Sequence, residues 1–121
     1  MPSGTERLYP STATTATHSI EFGNVNVRGC MLIVDVSAAA DTPSVTPSLQ
    51  VRDGNGDWNA IWTAAAAFTG TGTTTYLLYP GAANGNFTEV DGIPLPVDGR
   101  FTFTHADGDS ITYSVLAQWL K

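Results

Sequence analysis

Charge is scarce in this chain. Only 13% of its 121 residues are charged, and five are basic: Arg7, Arg28, Arg52, Arg100 and Lys121. They are scattered and build no patch. Nucleic-acid binding needs a basic footprint that displaces counterions, so no nucleic-acid partner is expected. A net charge of −6 disfavours anionic membrane surfaces as well. Cysteine is reduced to Cys30, which excludes an intramolecular disulfide framework. Cys30 sits in the apolar run "CMLIVDV" with no basic residue at nucleophile-activating spacing, so it reads as a small buried hydrophobe. Long apolar runs are missing too. None approaches the roughly 18 residues that span a bilayer. The N-terminus "MPSGTERLYPSTATTATHS" lacks the basic and apolar regions of a secretory signal. A soluble product made in a cytoplasm, with no membrane partner, is expected.

What the chain does have is alternation. In "RGCMLIVDVSA", Cys30, Leu32, Val34 and Val36 point one way, and Met31, Ile33 and Asp35 the other. The second side is apolar for half its length, which predicts a central strand. "SLQVR", "DWNAIWT", "TTYLLYP", "RFTFTH" and "SITYSVLAQWL" also read as strands, rich in β-branched and aromatic residues. In "DWNAIWT" the alternation puts Trp58, Ala60 and Trp62 on one face. Between the runs stand turn sequences such as "DTPSVTP", "DGNGD", "GAANGN" and "HADGDS". The one helical candidate, "TAAAAF" at residues 63–68, is too short and uncapped, and reads as a strand end and loop. The pattern predicts an all-β fold, an antiparallel β-sandwich of jelly-roll type. One domain over residues 14–121 is expected. Residues 1–13, rich in Pro, Ser and Thr, read either as a flexible end or as a short extended N-terminal arm that orders on a neighbouring subunit. Leu8 and Tyr9 give that arm an apolar patch suited to a neighbouring subunit.

Candidate chemistry is sparse. Asp53, Asn55 and Asp57 in "DGNGDW" have the opening rhythm of a calcium loop. Position six is Trp58 and position twelve is Ala64, so the required Gly and Glu are missing. A hairpin turn explains every residue better. Asp107 and Asp109 in "HADGDS" form a second acidic turn. A cation could be shared only if the two turns met. His18 and His105 are the only histidines, and with Cys30 they make no zinc spacing. No nucleophile elbow or phosphate loop occurs. No enzyme activity, cofactor or metal is expected. Large aromatics belong in a core, so Trp62 and Trp119 are expected inside.

The segments "RGCMLIVDVSAAADTPSVTPSLQVRDGNGDWNAIWTAAAAFTGTGTTTYLLYPG" and "LPVDGRFTFTHADGDSITYSVLAQWL" resemble small structural proteins of tailed bacteriophages. The likeness covers roughly residues 27–120, and the closing "THADGDSITYSV" hairpin is its most specific part. Size and composition resemble a capsid decoration, or cement, protein. The resemblance implies a virion component on the capsid exterior, synthesised in the host cytoplasm. Its implied partners are the major capsid protein and copies of itself, most often as a trimer. The contact residues expected on this basis are Glu6, Arg7, Leu8 and Tyr9 of the arm, and Asn84, Asn86 and Phe87 of the loop at residues 82–87. Two other readings make distinct demands. A tail-associated or host-recognition module, binding carbohydrate, requires an exposed Trp58. A small hydrolase requires His18 or His105 in a cleft beside a carboxylate.

Overall fold

A computed structural model describes residues 4–23, 26–83 and 85–121. Nine strands account for the regular structure among them: β1 (Gly4–Thr14), β2 (His18–Gly23), β3 (Gly29–Ala39), β4 (Val45–Arg52), β5 (Trp58–Thr63), β6 (Gly72–Leu78), β7 (Glu89–Asp91), β8 (Asp98–His105) and β9 (Ile111–Leu120). They form two sheets, ordered β1-β9-β3-β6-β7 and β2-β8-β4-β5. All pairings are antiparallel except that of β6 with β7. The protein is an all-β sandwich. Its antiparallel pairs β4–β5, β3–β6, β2–β8 and β1–β9 nest inside one another along the chain. That is the pattern of a long folded ribbon rolled into two layers, and it is consistent with a jelly roll.

Alternation builds the core. Cys30, Leu32, Val34 and Val36 of β3 are buried, as are Ile111, Tyr113, Val115, Ala117 and Trp119 of β9. From the other layer come Phe101 and Phe103 of β8, Val45 and Leu49 of β4, and Phe22 of β2. Each large side chain withdrawn from water contributes roughly 1.5–3 kcal/mol before entropy is counted. β3 lies between β9 and β6, as its two-sided apolar pattern predicts. Residues 64–67 form a connection, not a helix, and Phe68 ends it in a single bridge to Val45.

Two expectations need correction, and two strands are additions. Residues 4–13 do not stand apart as an arm. They are extended, but they form most of β1, paired with β9 from Gly4↔Trp119 to Thr14↔Ile111. Leu8 and Tyr9 pack on this protein's own core, which is where their apolar surface goes. The sandwich therefore begins before residue 14. The added strands, β2 and β7, complete the sheets although their short runs gave little periodic signal. The second correction is that Trp58, Ala60 and Trp62 do not share a face. A bulge pairs Leu49 with Trp62 but Gln50 with Ala60, leaving Ile61 as the extra residue. The extra residue reverses the parity of the strand. Trp62 joins the core while Trp58, opposite Arg52, lies on the outer side.

Candidate functional site

Both histidines converge on one hydroxyl. β9 carries Tyr113, β2 begins with His18 and β8 ends with His105. His18 Nε2 lies 2.5 Å from the Tyr113 oxygen, and His105 Nε2 lies 3.3 Å from it. Tyr9 of β1 stacks on His18 with ring centroids 4.3 Å apart, and Phe103 lies on His18 at 5.3 Å. Four strands from both sheets thus meet in one half-buried cluster. A phenol has one proton to give and two lone pairs, so it can donate to one imidazole while accepting from the other. Burial lowers the pKa of His18, and His105 beside it lowers it further. Burial also lowers that of His105, with Asp107 acting in the opposite sense. The Tyr113 phenol is pushed well above its ordinary value by burial, with Tyr9 adding to the shift. The cluster therefore favours neutral groups. Tyr113 had no local sequence signal, because its partners arrive through pairings 95 and 8 residues distant.

A cleft of about 320 Å³ opens where β1 and β2, the edge strands of the two sheets, run beside each other. Residues 6–8 and 20–23 line it. Glu6 accepts a hydrogen bond from Trp119 Nε1 at 3.1 Å, so part of its carboxylate is already engaged. Arg7 is exposed, Leu8 half-buried, and Tyr9 turned onto His18. Asn86 is exposed and Phe87 half-buried in the connection before β7. Asn84 lies outside the described residues. β1 and β7 are opposite edges of the five-stranded sheet, four strand spacings or roughly 19 Å apart. The two groups of expected contact residues are therefore not brought together.

The acidic turns are also separate. His105 pairs with Val45 at the start of β4, whereas Gly99 pairs with Val51 at its end, next to Asp53. The turns lie at opposite ends of that sheet, roughly 25 Å apart at about 3.4 Å per residue. Asp53 spends its carboxylate locally. Its Oδ1 accepts the N–H groups of Asn55 and Asp57 at 2.8 and 3.0 Å, and its Oδ2 accepts Asn59 Nδ2 at 3.0 Å. These bonds hold its pKa below the usual carboxylate range. Gly56, at φ 86°, supplies the left-handed corner. Asp109 accepts the Thr42 N–H and hydroxyl at 3.1 and 3.2 Å. Among the described residues no group of three His, Cys, Asp or Glu side chains is placed to hold a metal ion.

The remaining candidates are framework too. Glu89 of β7 receives Trp62 Nε1 at 2.9 Å and the Ala65 N–H at 2.7 Å, tying the sheets together at their far edges. Trp58 is half-buried, with the guanidiniums of Arg52 and Arg100 over its ring at 4.6 and 4.4 Å. Arg52 also pairs with Glu21 at 3.0 Å. The indole offers no open platform for a sugar ring. Cys30 is fully buried and its thiol is pushed up to about 12, which makes it inert as a nucleophile. No family model matches the chain, and no curated protein matches it.

Proposed function

We propose that the protein is a non-enzymatic structural component of a phage virion, a decoration protein that binds the outer capsid surface and stabilises the head. One observation carries the structural part of this reading. The side chains that could do chemistry are tied into the framework. His18 and His105 serve Tyr113, Asp53 and Asp109 hold turns, and Glu6 and Glu89 receive the indoles of Trp119 and Trp62. Such a molecule works by presenting a rigid surface. The resemblance of residues 27–120 to phage structural proteins supports the virion part. Repetition over a symmetric shell then sums modest contacts into a large effect. The major capsid protein is the proposed partner, with Arg7, Asn86 and Phe87 among the accessible residues available to meet it.

The hydrolase reading asks for a histidine beside a carboxylate in a cleft; Asp107 does lie near His105, but both rings are engaged with a phenol and neither lines the cleft between β1 and β2. The sugar-binding reading asks for a bare Trp58 ring, which two guanidiniums occupy. The test is sedimentation of purified protein with intact capsids that lack it. Co-sedimentation that saturates at a fixed ratio to the capsid subunit is expected. Protein remaining in the supernatant while the shells stay whole overturns the capsid reading.

A further inference from the structure

Each strand that ends a sheet is built to resist adding another strand. β1 carries Pro10 and two register shifts, β7 has three residues, and β5 has the bulge at Ile61. β2 has six residues and carries the exposed Glu21. Short, bulged, charged or proline-bearing edges discourage edge-to-edge association. Association is left to the two faces. The outer face of the four-stranded sheet carries Glu21, Arg52, Asp98 and Arg100, linked through Trp58 and Gln50. The outer face of the five-stranded sheet differs. Leu116 is opposite Ile33, Met31 opposite Leu77, and Leu77 opposite Val90. Five half-buried apolar side chains thus cross four neighbouring strands. Thr75, Ser114 and Gln118 surround them, and the charges of Arg7 and Asp35 stand at the border. An antiparallel face turned to water is ordinarily polar at these positions.

We infer that this face is the contact surface for a second copy of the chain, with the two five-stranded sheets packed face to face. Charge decides between the two faces. The chain carries −6, and two copies meeting here bring no central carboxylates together. Meeting through the other face would bury the exposed ion pairs of Arg52 with Glu21 and Asp98, at a cost in desolvation. Area allows it as well. Five strands at about 4.8 Å and eight residues at about 3.3 Å give roughly 650 Å² a side, or about 1,300 Å² in all, which reaches the size of a specific interface. Sheets stacked about 10 Å apart interdigitate such side chains. A patch that meets its own copy is isologous and closes as a twofold pair, not as the threefold set the resemblance implies.

The test is the mass of the purified full-length protein by sedimentation equilibrium, across low- to high-micromolar concentration. Twice the monomer mass is expected, and it should persist in molar salt because no central ion pair crosses the contact. Ile33→Asp should raise the dissociation constant roughly 30-fold or more, as for a central interface residue. Should Ile33→Asp fail to fold, Ile33→Thr with Leu77→Thr keeps strand-forming residues and should weaken the pair in the same direction. Thr104→Lys, on the opposite face, should leave it unchanged. Monomers at all concentrations, a trimer mass, or a dimer indifferent to these face substitutions in folded protein each overturn the inference. Capsid co-sedimentation is read separately, so dimerisation and the capsid reading can fail independently.

Discussion

Tyr113 satisfies two imidazoles with one hydroxyl, and this governs the response to acid. When both rings are neutral, the hydroxyl donates to one and accepts from the other. When both are charged, each ring can only donate, and two cations face each other across one oxygen. Desolvation acts in the same direction on His18 and His105. The charged neighbour in this setting is Asp107, beside His105, while burial keeps the Tyr113 phenol protonated. The sign follows from proton counts. Unfolded histidines take protons near pH 6.5 while the folded ones resist, so the unfolded state binds more protons through that window. The contribution to stability is complete above about pH 6.5 and is lost as the pH falls through the lower folded values. Tm should therefore drop between about pH 7.5 and pH 5, a range in which carboxylates remain largely charged. His18→Phe should flatten part of that drop. A level Tm in the parent, or an equal drop in the variant, would show that the cluster is not its source.

At the scale of elements, β1 is where expectation and structure differ most, and it yields a sharp prediction. Deleting residues 1–13 from a detached arm would leave the domain untouched. Here the deletion uncovers the edge of β9, strips Tyr9 from His18 and removes the Glu6 acceptor from Trp119. Leu8 and Tyr9 are half-buried, so their loss costs about 1–2 kcal/mol each, or about 2–4 kcal/mol together. A lower urea midpoint and altered tryptophan fluorescence are expected; an unchanged midpoint would return the segment to the status of an arm. The reason β1 escaped the sequence pattern is physical. Its register shifts twice, between Arg7 and Tyr9 and between Tyr9 and Thr12, so no strict period survives. The bulge at Ile61 hid the divergence of Trp58 and Trp62 in the same way. Strands regular over their apolar stretch were legible: β9 alternates in sequence as it does in burial, β3 does so as far as Val36, before its register shift, and β8 departs only at the buried Thr102. The turn at Asp53 was legible too, because every bond it makes is local. The cluster at Tyr113 was not, because pairing of β1 with β9 and of β2 with β8 must exist before its members become neighbours.

For the whole molecule, the nesting of strand pairs sets the order in which closure is cheapest. The entropic cost of closing a loop rises with its length, and non-local pairings slow folding. The shortest closure is β4 with β5 across the turn at Asp53, and the longest is β1 with β9, which joins the chain ends by pairing Gly4 with Trp119. Assembly should then start at β4–β5 and proceed outward. Circular permutation separates this order from its alternatives. Because Gly4 and Trp119 are paired, a short Gly-Ser linker is used to join residue 121 to residue 1. One permutant opens between Asn55 and Gly56, the other between Asp107 and Gly108. Both cuts fall in exposed turns, so both chains should keep the native near-ultraviolet circular dichroism. Both also gain the same local β9–β1 connection, so that gain cancels in the comparison. Only the first loses the short β4–β5 closure. It should refold more slowly than the second in stopped-flow fluorescence, with the difference confined mainly to the folding limb. Equal refolding rates, or a slower second permutant, would place the start of folding elsewhere in the sandwich.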